Sequence, residues 1–222
     1  MVWTDEEDRK EQKRKLIMRA ALKIISRKGY SPTALDEVAQ EAGIAKGTLY
    51  LYFKDKEDLM YNTIMYVLDH LKERMIERIP QNLPPLETLE RIASILFEYF
   101  LENDEFYNTY LTVLNYHLLS NYTHLFESMV ARKRELYDFE FQLVEQAKEQ
   151  GLVREDIPTK DIVMAYDGIV SNIMDQLFFM KDDVEFEPEQ KAKMVLRLFL
   201  EGAGTNERNT RNSGGSERRS AS

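Results

Sequence analysis

The stretch from residue 33 to residue 59 constrains the fold of this chain most, because it contains two short helical patterns separated by a glycine. Thr33 and Asp36 match the S/T-x-x-D/E signal for a helix start, in which the threonine hydroxyl caps free backbone N–H groups. Apolar residues then recur at helical spacing as far as Gly43, a residue type that readily adopts the left-handed conformation at a helix end. A second helix is predicted over residues 46–53. Two short helices joined in this way form the helix-turn-helix pattern, whose second helix enters the major groove of DNA.

The second helix carries residues that suit contact with a nucleic acid. Leu49 and Phe53 are four residues apart, so both are expected to face the core. Its tyrosines need a partner that covers the ring and binds the hydroxyl, and thymine methyl groups and phosphate oxygens meet both needs. A glycine here costs about 1 kcal/mol of helix stability relative to alanine, for which a close approach to DNA would compensate. The residues predicted to contact DNA are Arg14, Thr33, Lys46, Gly47, Thr48, Tyr50, Tyr52 and Lys56.

Two kinds of role are expected within this contact surface. Lys46 and Thr48 would read base edges, since a lysine can reach the acceptor atoms of guanine. The tyrosines, Thr33 and Lys56 would fix the register on phosphates, and Lys56 would act together with the free N–H groups at the start of the following helix. Leu51 has two interpretations, either contact with a thymine methyl group or burial in the core.

From about residue 14 to residue 59, the sequence resembles the DNA-binding signature of the TetR family of transcriptional regulators. The resemblance covers about a fifth of the chain and departs from the usual pattern at Ile25, Ala45 and Leu51. Ala45 stands where the family usually has a capping serine, so the third helix is expected to lack a side-chain cap, a loss of about 1 kcal/mol. Upstream of the helix-turn-helix, the residues that carry the resemblance are Arg14, Ile17, Ala20-Ala21-Leu22 and Gly29-Tyr30.

The distribution of charge favours DNA binding at one end of the chain, although the net charge of the whole chain is −9. Residues 9–56 contain 12 Lys and Arg against 5 Asp and Glu, a net charge of +7, and the remainder contains 18 against 34, a net charge of −16. A basic head on an acidic body binds DNA through one end, while the other end is repelled from it.

Composition limits the other classes of function. The chain has no cysteine, so disulfides and thiolate metal sites are excluded, and a cytoplasmic location is expected. The first fifteen residues are almost entirely charged, and no apolar run approaches the roughly 18–20 residues that span a bilayer, so we expect neither a signal peptide nor a membrane anchor. Metal binding by the three histidines is not expected, and no motif for catalysis or cofactor binding occurs.

The rest of the chain is predicted to be helical, because no stretch alternates with period two. The predicted helices span residues 4–28, 56–79, 86–101, 104–119, 123–150, 160–180 and 188–201, which together with the helix-turn-helix give an all-α protein of about nine helices. We expect a three-helix DNA-binding domain over residues 1–60 and a larger helical ligand-binding and dimerisation domain over 61–201. Residues 202–222 contain no apolar residue larger than alanine and are expected to be a disordered tail.

Aromatic and methionine side chains are abundant in the body, and most are expected to belong to its core. Collectively they suit a pliable apolar pocket, which the family resemblance places between the helices of the body. Its predicted lining is Phe97, Phe100, Tyr110, Leu114, His117, Met129, Met164 and Asp167. The resemblance also implies a homodimer formed by the last two helices, with predicted contacts at Ile169, Ile173, Leu177, Val195, Leu198 and Phe199.

These features together predict a homodimeric regulator that binds a palindromic operator in double-stranded DNA. It would be a repressor that a small apolar or amphipathic ligand releases from DNA. An alternative is an all-α ligand-binding or assembly protein whose helix-turn-helix is purely structural. An enzyme that uses the helical pocket is the third possibility, but it would need catalytic groups that the sequence does not reveal.

Overall fold

The computed structural model describes residues 5–103, 105–107, 109, 123–179 and 186–201. Within these ranges the chain forms eight α-helices and no β-strand, which confirms the predicted all-α class. The helices are α1 (Asp5–Lys28), α2 (Leu35–Glu41), α3 (Lys46–Leu49), α4 (Lys56–Arg78), α5 (Pro85–Glu102), α6 (Thr123–Glu149), α7 (Thr159–Phe179) and α8 (Pro188–Glu201). Most of the helix predicted over 104–119 and the whole tail from 202 lie outside the described residues.

Most predicted boundaries agree with the structure to within one residue, and α3 is the exception. Its α-helical part ends at Leu49, four residues earlier than predicted. The chain continues through a turn in which the N–H groups of Tyr52 and Phe53 both donate to the carbonyl of Leu49, each at 3.0 Å. Leu49 and Phe53 therefore still face inward as predicted, with 0% and 1% of their surface exposed.

The start of α2 differs from the prediction. Ala34 is the N-cap residue, and the side chain of Glu37 accepts a hydrogen bond from the Ala34 N–H at 3.1 Å. Thr33 is buried instead, and its hydroxyl donates to the carbonyl of Gly29 at 2.8 Å. The predicted start pair Thr33 and Asp36 is therefore wrong by one residue, since Ala34 and Glu37 take these two positions. Tyr30 and Thr33 are buried instead.

The turn between α2 and α3 is fixed by backbone geometry. Gly43 has a φ of +65°, a conformation that side-chain-bearing residues rarely adopt. Its N–H donates to the carbonyl of Gln40 at 3.1 Å, and the N–H of Ile44 donates to that of Ala39 at 3.0 Å. These two bonds satisfy carbonyl groups at the end of α2 in the Schellman arrangement. As expected from Ala45, α3 has no side-chain cap.

Helix α4 connects the first three helices to the rest of the protein. At its N-terminal half, Asn62 accepts a hydrogen bond from the Arg14 guanidinium of α1 at 2.8 Å. At its C-terminal half, Arg74 pairs with Glu102 of α5, and the carbonyl of Val67 accepts a hydrogen bond from the Tyr99 hydroxyl at 3.2 Å. A displacement of α4 therefore moves contacts at both ends of the molecule.

Helix α5 is the central helix of the body. Pro85 occupies its first turn, where the missing N–H costs nothing, and ten of its residues are buried. The Tyr166 hydroxyl of α7 donates to the carbonyl of Leu89 at 2.5 Å, and burial raises the pKa of this tyrosine well above its usual value. Helix α8 packs along α5 through Ala192 and Val195, which are both fully buried. Among the described helices, none is both long enough and apolar enough to cross a membrane.

Candidate functional site

The outward face of α3 and of the turn after it is formed by side chains that the core does not use. Tyr50 is 47% exposed and Leu51 is 78% exposed. Leu51 is therefore not a core residue, and contact with a thymine methyl group stays a prediction.

Lys46 extends from the start of α3 towards α2. Its ammonium donates to the Asp36 carboxylate at 2.9 Å, and this hydrogen bond raises the pKa of Lys46. Both side chains are largely exposed, so the pair is weak and Lys46 can exchange Asp36 for another acceptor. Asp36 is predicted from the sequence as part of a helix start, and the crossing of α2 and α3 makes it the partner of Lys46 as well.

The other predicted contact residues of α3 differ in exposure. Gly47 is exposed, and a Cβ added there would meet no atom within 4 Å. The protein itself therefore does not require a glycine at this position. Thr48 is partly exposed, whereas Tyr52 packs part of its ring against the core.

Three predicted contacts outside α3 are engaged inside the protein. Thr33 is 4% exposed, so its assignment to the contact surface is wrong. The Arg14 guanidinium lies over the Phe53 ring at 5.2 Å in addition to its hydrogen bond to Asn62, so it holds α1 against α4. Its predicted contact with DNA is not supported by this geometry.

Lys56 also has a partner within the protein. The Lys56 ammonium donates to the carbonyl of Ser31 at 2.9 Å and lies 4.4 Å from the centre of the Tyr30 ring. Burial, and secondarily the charge of Lys28, lower its pKa. At the start of α4 the Asp55 side chain accepts a hydrogen bond from the Asp58 N–H at 2.8 Å, which satisfies one of the N–H groups of the first turn. The phosphate contact of Lys56 and this helix start stays a prediction.

A cavity of about 1140 Å³ lies in the body between α4, α5, α6 and α7. Three of the predicted lining residues, Phe100, Met129 and Asp167, contribute to its wall. Residues of α4 that are absent from the predicted lining also contribute to the wall, and they include Leu68, Leu71, Met75 and Ile79. Predicted lining residues Tyr110, Leu114 and His117 lie outside the described residues.

Two predicted lining residues lie elsewhere. Phe97 is fully buried and packs edge-to-face on Phe186 with 5.5 Å between ring centres, so it belongs to the core. Met164 is 64% exposed and does not line the cavity. On α7 the cavity lining begins at Asp167, three residues after Met164, and the sequence pattern does not show where along the helix the cavity ends.

Three cationic side chains line one end of the cavity, together with the carboxylates of Glu135, Asp138 and Asp167. We call Lys72, Arg132 and Lys133 the cationic rim, since all three line the cavity and remain partly exposed. The sequence contained a signal for it in the run of cations over residues 132–134. The run alone does not indicate a place in the pocket, because only the packing of α4 against α6 brings Lys72 beside Arg132 and Lys133.

A buried carboxyl group lies close to the cavity. Glu140 of α6 is 3% exposed, and burial, reinforced by the nearby Asp167 charge, raises its pKa to about 8. The charge of Lys133 acts in the opposite direction, but it is the weaker influence. No cluster of acidic or histidine residues that could hold a metal occurs among the described residues.

The predicted dimer contacts fall into two groups. Ile169, Ile173 and Leu177 of α7 are partly exposed, and Leu198 of α8 is 38% exposed, so these four are accessible. Val195 is fully buried inside the protomer, and its predicted place at an interface is wrong. The partly exposed Phe199 packs on Tyr166 with 5.6 Å between ring centres.

Comparison of sequences identifies relatives of the N-terminal region. A family model for bacterial regulatory proteins of the tetR family matches residues 17–61. The uncharacterized HTH-type transcriptional regulator YuxN of Bacillus subtilis is 34% identical over 95 residues, which are 43% of this chain and 33% of that protein. Two further regulators of the same organism match over 36% and 46% of their lengths, so the chain aligns with less than half of each of these relatives.

Comparison of structures extends the similarity to the body. The transcriptional regulator FadR from Bacillus subtilis, solved in complex with stearoyl-CoA, has a TM-score of 0.71 at 21% identity and covers 85% of this chain and 98% of that chain. AibR, solved in complex with isovaleryl coenzyme A and operator DNA, has a TM-score of 0.68 at 22% identity, with 85% and 98% covered. At these identities the comparison establishes that the fold is shared.

Proposed function

We propose that this chain is a homodimeric DNA-binding transcriptional regulator of the TetR type, controlled by a small ligand; the match of residues 17–61 to the tetR family model supports this. The observation that carries the proposal is the outward face of α3, where Tyr50 and Leu51 are exposed while Leu49 and Phe53 anchor the helix in the core. A purely structural helix-turn-helix would gain nothing from two large exposed side chains at its tip. The proposed contact surface is Lys46, Gly47, Thr48, Tyr50, Leu51 and Tyr52.

We propose that DNA binding and ligand binding belong to different sets of helices. Residues 1–60 form the DNA-binding domain, and residues 61–201 form the domain that binds the ligand and the second protomer. Helix α4 belongs to both, because it receives Arg14 near its start and lines the cavity further along. Ligand entry would tilt α4 and change the spacing of two DNA-binding heads. A coupling of about 1–3 kcal/mol is sufficient to change DNA occupancy several-fold.

The proposed ligand is an apolar or amphipathic small molecule. The described cavity wall is formed largely by leucine, isoleucine, methionine and phenylalanine side chains, which adapt to chains of irregular shape. FadR and AibR bind acyl-CoA molecules within the same fold, which supports an acyl compound as the first candidate. We infer that the cavity binds this molecule without transforming it, since the relatives are regulators.

The proposed dimer forms through α7 and α8. Ile169, Ile173 and Leu177 lie on successive turns of α7, and each retains exposed apolar surface in the single protomer. On α8, Met194 and Leu198 are 36% and 38% exposed. Two protomers would place these stripes together, and two recognition helices would then read the half-sites of a palindrome.

The test is binding of the full chain to the DNA upstream of its own coding sequence. Fluorescence anisotropy should detect a complex that scrambled duplex of the same length does not form with equal affinity. The affinity should fall steeply with salt, since each neutralised phosphate contributes a slope of about −0.9 in log K against log salt. Equal affinity for both duplexes, or no dependence on salt, would favour an assembly or ligand-binding protein with a structural helix-turn-helix.

A further inference from the structure

The cationic rim is held by carboxylates on three different helices. Each cation has an acidic partner at hydrogen-bonding or ion-pair distance, and the partners come from α4, α6 and α7. The pairs are Lys72 with Glu135 at 2.8 Å, Arg132 with Asp69 at 2.6 Å and Lys133 with Asp167 at 3.1 Å. Two of the three pairs, those of Lys72 and Arg132, connect α4 to α6.

These pairs are suited to exchange. Their side chains are between 30% and 59% exposed, so water screens each attraction and the pairs add little to stability. A guanidinium has five N–H donors in a planar fork, which binds the two oxygens of a carboxylate or phosphate in parallel. An incoming anion can therefore replace the internal carboxylates without leaving any of the cations in the rim unpaired.

The two ends of the cavity differ in charge. Asp175, another cavity-lining residue of α7, lies eight residues beyond Asp167, about 12 Å further along the helix. Its carboxylate accepts a hydrogen bond from the Tyr107 hydroxyl, and among the described residues no cation pairs with it. Val170 and Met174 form apolar wall between these ends. A negatively charged group therefore finds cationic donors at the rim if it displaces their carboxylate partners, whereas at the Asp175 end it meets an unneutralised carboxylate among the described residues.

We propose that the cavity binds an anionic amphiphile whose carboxylate or phosphate head group lies at Lys72, Arg132 and Lys133. The head group takes the place of Asp69 and Glu135, and the apolar chain extends into the cavity along α7. This inference rests on the proposed ligand-controlled function and specifies the chemistry of the ligand. Loss of the two α4–α6 pairs frees the cavity-lining half of α4 from α6, which is the movement that the DNA-binding end would sense.

The binding test compares probes that share one chain and differ in the head group. Decanoate, decyl phosphate, decanol and decyltrimethylammonium are titrated into the full chain by calorimetry, below their critical micelle concentrations. Decanoate and decyl phosphate should bind at least about tenfold more tightly than decanol, because the charge-assisted hydrogen bonds of the rim act only on an anion. Equal binding of decanol, or tighter binding of the ammonium compound, would overturn the proposal and indicate recognition at Asp175.

Three variants locate the head group. Arg132→Gln/Lys133→Gln should reduce the preference for decanoate over decanol to below about threefold while leaving the affinity for decanol unchanged. Arg134→Gln is the matched control, because Arg134 is exposed on the same helix but does not line the cavity. Glu135→Gln should tighten decanoate binding, since the competing carboxylate is removed. A uniform loss of affinity for all probes in the double variant would contradict a head-group role.

Failure of this inference is distinguishable from failure of the proposed function. Suppose that the unliganded chain binds its upstream DNA, and that decanol or decyltrimethylammonium releases the chain from DNA as effectively as decanoate does. The proposed regulatory function is then retained, and the anionic head group is rejected. If the chain shows no preference for that DNA, the proposed function fails whatever the probes do. Retention of the decanoate preference in Arg132→Gln/Lys133→Gln would likewise reject the site.

Discussion

The buried carboxyl group of Glu140 should make this protein less stable as the pH rises from 5 to 8. Its pKa is about 8 in the folded protein against an ordinary value of 4.5, because it is buried and faces the Asp167 carboxylate. Between these two pH values the folded chain binds more protons than the unfolded chain, so the free energy of unfolding falls with increasing pH. The slope approaches about −1.4 kcal/mol per pH unit. Above pH 8 the loss levels out at about 5 kcal/mol, and at pH 7 it is about 3 kcal/mol.

The variant Glu140→Gln removes this dependence, because an amide of nearly the same shape does not ionise in either state. The measurement is urea unfolding of wild type and variant at pH 5, 6, 7 and 8. One protein concentration must be used throughout, since association of protomers shifts the apparent stability. The variant should gain several kcal/mol relative to wild type between pH 5 and pH 8, whatever constant offset the buried amide introduces.

Glu127→Gln provides the matched control, since Glu127 is exposed on the same helix. It should change with pH in parallel with wild type. Parallel profiles for wild type and Glu140→Gln, within about 1 kcal/mol from pH 5 to pH 8, would refute the reasoning, because a carboxyl that ionises freely in the folded protein has no linkage to folding. Asp167→Asn should reduce the total loss of stability between pH 5 and pH 8, because Asp167 raises the pKa of Glu140. In this variant the charge of Lys133, which lowers the pKa of Glu140, is no longer opposed by Asp167.

Three further predictions concern the proposed binding surfaces. Gly47→Ala should stabilise the protein by up to about 1 kcal/mol in thermal unfolding, since alanine favours the helix and the added Cβ meets no atom within 4 Å. The same variant should bind DNA more weakly, and unchanged affinity would remove Gly47 from the contact surface. Tyr50→Ala should weaken DNA binding by at least about tenfold without changing the unfolding temperature appreciably, because its ring is half exposed; full retention of affinity would exclude Tyr50. Leu198→Ser should shift the protein towards monomer in light scattering while the helical circular dichroism persists. Val195→Ser should instead lower the stability of the protomer, because Val195 is fully buried. If both changes weakened association equally, the assignment of Leu198, but not Val195, to the interface would be contradicted.

Local patterns in the sequence were sufficient to predict the helices and the outward face of α3. The spacing of Leu49 and Phe53 indicated the inward face, and Gly43 indicated the turn, because both signals depend on residues within one helical turn of each other. The start of α8 at Pro188 was predicted correctly, because proline is tolerated in the first turn of a helix. In each case the physical cause acts along the chain, so no knowledge of distant neighbours was needed.

Only the tertiary structure decided which partner each polar or apolar side chain contacts. Arg14 and Lys56 have the residue types of phosphate contacts, but packing of α1 against α4 and of the α1–α2 turn against α4 gives each of them an internal partner. The cationic rim likewise required the approach of α4 to α6, whose paired residues Lys72 and Glu135 are 63 residues apart in sequence. The sequence by itself therefore determined which segments are helical and which face of α3 is available. Burial and charge pairing depend on contacts between distant segments, and these were determined only when the helices packed together.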